Sequence, residues 1–315
     1  MPELPEVETV ARDLRPLITG ATIVDATTLW GRTLRGISPE DFADGVAGRT
    51  IEAVGRRGKQ LVVDLSGGAF LTIHLKMTGQ LFVVRQGGRE DPYVRLVLSL
   101  EDGREIRFRD IRKFGKIGLY GVDDADPFAA VGPEPLSDAF TVRAFRRRLR
   151  ARKGRLKPLL LDQTFVAGVG NIYADEALWA ARLHPLRTAR TLRPADERRL
   201  WVAIRRVLAE AVIRRGSSID DYTAPEGDGE MQEHLAVYQR TGEPCLRDGR
   251  PIRRIVVGGR ATHFCSWCQR LPAADRAGAR AFLRQMAARV RSAPAERTRR
   301  AAATRRAAAR ASVGG

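Results

Sequence analysis

Two stretches near opposite ends of the chain hold residues whose types and spacing can do chemistry. The first is MPELPEVETV at residues 1–10. Removal of Met1, which a small second residue permits, leaves Pro2 with a free secondary amine. A terminal amine has a pKa far below that of lysine, so near neutral pH a useful fraction is unprotonated and nucleophilic. Such an amine condenses with a carbonyl-like carbon to give an iminium. A bare P-E-x-P-E is also what an ordinary helix entry with a solvated acidic turn looks like. The second stretch is PCLRDGRPIRRIVVGGRATHFCSWCQR, which contains all three cysteines, Cys245, Cys265 and Cys268. That clustering points to a metal site more than to a disulfide framework. Tetrahedral zinc across a hairpin takes two ligand pairs, each with two intervening residues. Here Cys265-x-x-Cys268 is complete, and the other pair is Cys245-x-x-Asp248. Asp248 can supply an oxygen ligand. His263, two residues ahead of Cys265 on a strand, is a less well-placed substitute, and a metal-free hairpin is the third reading. Arg253, Arg254 and Arg260 on the same segment can place a guanidinium in a DNA groove.

Between these ends lie four further candidates. In GVGNIYADE (168–176) two glycines allow close backbone approach, and Asn171 stands where a helix begins. Free amides there can hold a phosphate, or the segment is a helix–helix turn with an Asn cap. RRGKQL places Lys59 after a glycine at the opening of a strand, from which a long side chain reaches into a cleft or into solvent. HLKMTGQ and RDIRKFG place Met77 and Phe114 beside turns, with Arg112 two residues before the latter. Each large apolar residue is either core or a wedge that enters a base stack.

The elements that must position these groups follow from periodicity. Pro5 suits the first turn of a helix, and Val7, Val10, Ala11 and Leu14 give that helix one apolar face. From about residue 20 to 122 the signal is strand: TIVDATTL, QLVVDL, AFLTIHL, VRLVLSL and REIRFRD, the last two joined by Glu101-Asp102-Gly103. A sandwich or barrel is expected. Near VGPEPL (131–136) the pattern turns helical, through TVRAFRRRLRAR, KPLLLDQ, NIYADEALWAARL and a long helix ending at Gly216. GSSIDDYTAPEGDGEMQEHL (216–235) reads as a mobile polar loop. The tail, 271–315, carries eleven arginines against Asp275 and Glu296 and has little to bury, apart from a short helix over 279–291 with Phe282, Leu283 and Met286. It is either a phosphate-binding arm or a drifted extension.

Composition sets the class of partner. The chain has 315 residues, is 43% hydrophobic and carries a formal net charge of +18, so a sizeable core in two or three domains and a polyanionic partner are expected. Only six of the 55 basic residues are lysine, so part of this charge reflects a bias toward arginine. No apolar run is long enough to cross a bilayer and no secretory leader is evident, so a cytosolic location is expected.

Together these residues resemble the bacterial formamidopyrimidine-DNA glycosylases, which excise oxidised purines such as 8-oxoguanine and cleave the resulting abasic site. The resemblance runs in order from PELPEVET through RRGKQL, HLKMTG, RDIRKFG, VGPEPL, KPLLLDQ and GVGNIYADEALW to VYQRTGEPC and RATHFCSWCQR, and ends near residue 270. It implies an α+β multidomain chain: an N-terminal helix and β-sandwich (1–135), a helix-two-turns-helix domain (136–235) with a lesion-capping loop (217–235), a zinc hairpin (236–270) and the basic tail (271–315). It implies that Pro2 attacks C1′ of the damaged nucleotide, Glu3 assists sugar-ring opening and Glu6 supports this terminus. Lys59 would act in the first elimination and Arg260 in the second, Met77, Arg112 and Phe114 would fill the gap left by the flipped nucleotide, and Lys153 and Asn171 would contact phosphate. One zinc ion held by Cys245, Asp248, Cys265 and Cys268, duplex DNA bearing oxidised bases or abasic sites as partner, a monomer, and a nucleoid-associated bacterial location complete the expectation. The chain departs from the family pattern in Asp248, in Tyr93 where a DNA-contacting histidine is usual, and in a slightly shortened 217–235 loop. A sister family acting on oxidised pyrimidines typically begins P-E-G-P-E, so Leu4 and the complete Met77, Arg112, Phe114 set favour the purine enzyme. A non-catalytic DNA-binding protein would not need Pro2, Glu3 and Lys59, and an RNA-binding protein using the helical domain alone would not need the wedge residues.

Overall fold

The computed structural model describes residues 1–87, 91–217, 229–280 and 284. Helix α1 (Leu4–Ile18) opens on Pro5 in its first turn, and the Glu6 side chain accepts from the Glu3 amide (2.8 Å) to close the helix start. Its face of Val7, Val10, Ala11, Leu14 and Ile18 is buried in the core of the strand domain, whereas Leu4 is buried in the core of the helical domain. One helix therefore joins both cores.

The strand domain follows as β1 (Ile23–Thr28), α2 (Pro39–Val46), β2 (Ile51–Arg57), β3 (Gln60–Leu65), β4 (Phe70–His74), β5 (Gly79–Arg85), β6 (Val94–Leu100), β7 (Arg104–Asp110) and β8 (Lys116–Tyr120). Its strands form two antiparallel four-stranded sheets, ordered β1-β6-β7-β5 and β2-β3-β4-β8. Alternate residues such as Leu61, Val63, Leu96, Leu98, Ile106 and Phe108 meet in one core, so the domain is a sandwich, as expected, and not a barrel. Strands β2, β5 and β8 are additions to the sequence-based expectation. All three stand at sheet edges, where glycines and arginines dilute the apolar alternation.

The helical domain comprises α3 (Val142–Arg150), α4 (Leu156–Leu161), α5 (Asn171–Ala180) and α6 (Pro194–Ile213). They surround a second core in which Phe145, Phe165, Tyr173, Ile204 and Leu208 are buried together. Thr141 caps α3 by accepting from the Ala144 amide (3.2 Å). Strands β9 (Arg253–Val257) and β10 (Arg260–Phe264) form a hairpin through Gly258-Gly259, whose φ values of +57° and +74° suit a tight primed turn. Asp175 on α5 binds this hairpin to the helices: it takes Lys157 Nζ (2.6 Å) on one oxygen and the His263 amide (2.9 Å) on the other.

Two segments expected to be loose have ends that pack against the fold. In the 217–235 segment, Ser217 bridges to Glu230, and Met231 and Leu235 are buried in the helical core, so the ends of that loop are anchored; residues 218–228 lie outside the described residues. The first residues of the 271–315 segment are docked. Residues 273–276 form a short helix, α7 (Ala273–Arg276), and Asp275 accepts from Thr188 and Thr191, while Leu271 and Ala279 pack with Ile255, Val257 and Phe264. The expected helix over 279–291, with Phe282, Leu283 and Met286, falls largely outside the described residues. Among the described residues no helix is long and apolar enough to cross a membrane.

Candidate active site and nucleic-acid interface

The start of the chain is driven between the two domains. Pro2 is buried, and Glu3 reaches the N-terminus of α5, where its carboxylate accepts from the amides of Gly170 (2.7 Å), Ile172 (2.8 Å) and Tyr173 (3.3 Å). Orphan amides at a helix start are natural partners for a carboxylate. Glycines make the approach possible. A Cβ on Gly170 would lie 2.4 Å from Glu3 Cδ, and one on Gly168, where φ is +78°, would lie 2.6 Å from Leu4 Cβ. Glu6 carries the other half of the scaffold, accepting from the Tyr173 hydroxyl (2.5 Å) and the Ser217 amide (2.9 Å). Burial, reinforced by Glu6, keeps the Tyr173 phenol protonated and hence a donor.

Lys59 occupies the two-residue turn between β2 and β3 and is buried. Burial lowers its pKa, opposed by the nearby charges of Glu3 and Glu6 and assisted by Arg260. Burial likewise raises the pKa of Glu3, against the pull of Lys59. Lys59 thus shares its surroundings with Glu3 and Glu6 on one side and with the hairpin-tip residue Arg260 on the other. The Lys59 turn is fixed by a residue that its sequence context does not single out. Glu134, within VGPEPL, accepts from the Gly58 amide (2.6 Å), Arg56 (2.6 Å) and Arg57 (2.9 Å).

The two wedge segments share a brace. Asp110 accepts from the Thr78 hydroxyl in the Met77 turn, from the Arg112 amide (3.2 Å) and from the Gly115 amide (2.7 Å). Met77 is half-buried, whereas Arg112 and Phe114 are exposed and stacked on one another, the guanidinium 5.0 Å from the ring centre. Phe114 is therefore not core. Tyr93 is also exposed, and its carbonyl accepts from the Asp110 amide (2.9 Å), which sets it on the same rim. His74, likewise outside the expected set, has its pKa lowered to about 3 by burial and by Lys76, Lys59 and Arg35. It is neutral, and because its Nδ1 accepts from the Lys76 amide (3.1 Å), its proton is on Nε2.

Lys153 is exposed ahead of α4. Asn171 is the first residue of α5, and the cap is Gly170 instead of the asparagine. The Asn171 Oδ1 is buried with no hydrogen-bond partner among the described residues.

At the other end of the hairpin, one donor atom each from Cys245, Asp248, Cys265 and Cys268 lies within 4.8 Å of all the others. Three thiolates and a carboxylate at that spacing fit one tetrahedral zinc. His263 is not among them, because its ring faces Asp175 at 3.2 Å. Asp248 is therefore the residue that could complete the set, its oxygen 3.3 Å from Cys265 Sγ.

Family models for the formamidopyrimidine-DNA glycosylase N-terminal domain, its H2TH domain and the zinc finger found in FPG and IleRS match residues 1–117, 131–223 and 242–271. The formamidopyrimidine-DNA glycosylase of Chloroflexus aurantiacus is 48% identical over 272 residues, covering 85% of this chain and 98% of that protein. That of Herpetosiphon aurantiacus is 46% identical over 275 residues, covering 85% and 100%. Among solved structures, Lactococcus lactis Fpg in complex with DNA containing an abasic site superposes with a TM-score of 0.80 at 37% identity, covering 85% of this chain and 100% of that one. MutM (Fpg) from Thermus thermophilus gives 0.76 at 45% identity, covering 85% and 98%. Matched in order along its strand, helical and zinc-finger segments and over the full length of these relatives, the chain belongs to the formamidopyrimidine-DNA glycosylase family.

Proposed function

We propose that this chain is a bifunctional DNA glycosylase that excises oxidised purines, 8-oxoguanine and formamidopyrimidines, from duplex DNA and then cleaves the abasic site. The observation that carries this reading is the delivery of Pro2 and Glu3 to the start of α5, with Lys59 buried where the charges of Glu3, Glu6 and Arg260 all bear on it. Once Met1 is removed, the Pro2 amine attacks C1′ of the flipped nucleotide while Glu3, whose raised pKa favours the protonated form, assists opening of the sugar ring. The C1′–N bond to the base breaks and an iminium forms. Its positive charge acidifies C2′, and Lys59, whose lowered pKa favours the neutral amine, takes that proton as the 3′ phosphate leaves. Arg260 grips phosphate and acts in the second elimination. Met77, Arg112 and Phe114 fill the vacated space, offsetting part of an unstacking cost of a few kcal/mol. Lys153, Asn171, Tyr93 and neutral His74 contact the DNA backbone.

In this reading residues 1–135 are the catalytic unit, 136–235 the DNA-binding helices and 236–270 the zinc hairpin, with the short 271–280 extension docked on it. Zinc supplies structural closure at the metal end of the hairpin, held by Cys245, Asp248, Cys265 and Cys268. The protein works as a monomer on the bacterial chromosome, in the cytoplasm. Borohydride reduction in the presence of 8-oxoguanine duplex is the test: a covalent adduct should form at Pro2, located by peptide mass. Trapping that survives at full strength on a protein with extra residues ahead of Pro2 would sink the assignment. Excision of oxidised pyrimidines in preference to purines would favour the sister family instead.

A further inference from the structure

Six arginines, Arg182, Arg187, Arg193, Arg199, Arg247 and Arg270, line one surface pocket of about 760 Å³ between the helices and the metal end of the hairpin. Elsewhere among the described residues an acid serves one or two arginines, as Asp13 serves Arg215, Glu8 serves Arg12 and Arg56, and Glu197 serves Arg146 and Arg150. Here Asp196 alone serves Arg187, Arg193 and Arg199, and the other lining carboxylate, Asp248, belongs to the metal donors. Arg182 is exposed, and Arg270 stands 4.0 Å from the ring centre of exposed Trp267, with Arg250 3.5 Å from the same ring. Positive charge is therefore in excess around a concave, accessible surface.

Three elements separate this pocket from the catalytic residues. Helix α5 has Asn171 at one end and Arg182 just past the other, a span of about 15 Å. Helix α6 begins with the pocket residues and ends close to Ser217, which binds Glu6. Strand β10 begins at Arg260 and ends beside Cys265, about 16 Å away. We propose that the pocket binds the phosphodiester backbone of a second DNA segment while the cleft holds the first. The choice of DNA rests on the function proposed above. It is supported by the pocket's size, which exceeds that of one phosphate, and by its rim at Pro272, from which the chain continues into its arginine-rich C-terminal sequence. The consequence is direct transfer between DNA segments during the search for damage.

The test is dissociation of a labelled plain duplex from the full-length protein at rising concentrations of unlabelled duplex. Wild-type dissociation should accelerate with competitor. The full-length triple variant Arg182→Ser, Arg193→Ser, Arg270→Ser should reduce that acceleration by at least about fivefold, because non-specific affinity for a second duplex is supplied essentially by such phosphate contacts. The corresponding triple lysine variant should keep it, which separates charge from folding. Equal acceleration in the serine variant, or none in the wild type, would overturn the proposal. Suppression by tripolyphosphate without any response to duplex would reassign the pocket to free polyphosphate and overturn it as well. Excision on a short lesion duplex, measured in parallel, should be unchanged in both variants; failure of excision in the wild type would count against the proposed function and leave the transfer result standing.

Discussion

Glu3 is held by donors on both carboxylate oxygens, so its replacement by glutamine exchanges one acceptor for an NH₂ that faces a backbone amide. Leaving such groups mismatched in a buried site costs about 1–3 kcal/mol. Glu3→Gln should therefore lower the melting temperature while still binding lesion DNA. Excision should fall by about 10²–10⁴-fold, the usual worth of a positioned acid. Normal turnover by this variant would remove Glu3 from the mechanism. The pH dependence follows from the same burial. The folded state holds the Glu3 proton to higher pH than the unfolded chain does, so its contribution to stability is lost as pH rises from the ordinary carboxylate range through the raised value. Lys59 behaves oppositely: its pKa is lowered, so its contribution is lost as pH falls from the ordinary lysine range toward the lowered value.

At the scale of elements, Glu134 decides where the β2–β3 turn sits. Burial works against its charge, but Arg56, the Gly58 amide and Arg57 outweigh burial and hold its carboxyl below the ordinary value. Its stabilisation is thus present above the usual carboxylate range and lost as pH falls through the lowered value. Glu134→Gln should cost about 1–3 kcal/mol, discounted for the partial exposure of the site. It should slow strand cleavage more than base release, a ratio read from the two products of one reaction; equal slowing would mean that the turn does not position Lys59. At the metal end, Asp248→Cys should hold zinc more tightly against a chelator, because a soft donor replaces an oxygen. Metal analysis should find one zinc per chain before and after the change, and a zinc-free, fully active protein would refute the site. Much of this was legible in the sequence. Interior strands such as VRLVLSL carry their own alternation, and Pro2 offers its amine by type and position, whereas the roles expected of Glu3 and Lys59 come only with the family resemblance. Glu134, Asp110, Tyr173 and Asp175 carry no such signal, since each acts on partners distant along the chain, and local periodicity carries no record of such pairings. Edge strands such as KIGLY were hidden for a different reason, because half-solvated edges need little apolar patterning.

For the whole molecule, the fold sets where the basic C-terminal sequence can be cut. Truncation after residue 275 would remove Ala279, which is buried against the hairpin, and would expose the Asp275 hydrogen bonds to Thr188 and Thr191. Deleting 281–315 leaves that docking intact and removes nine arginines against the single acid Glu296. If those arginines contact phosphates, the truncated protein should bind undamaged duplex with a flatter salt dependence, each phosphate no longer neutralised reducing the slope by about 0.9. Lesion preference should change little, because the groups assigned to discrimination, Met77, Arg112 and Phe114 with the 217–235 loop, all lie ahead of the cut. At low salt the truncated enzyme should turn over faster, since a non-specific arm also retains product. Titrating full-length and truncated protein against lesion and plain duplex at several salt concentrations separates these effects. Identical slopes would make the segment a passenger, and a selective loss of lesion binding would mean that it reaches the catalytic cleft.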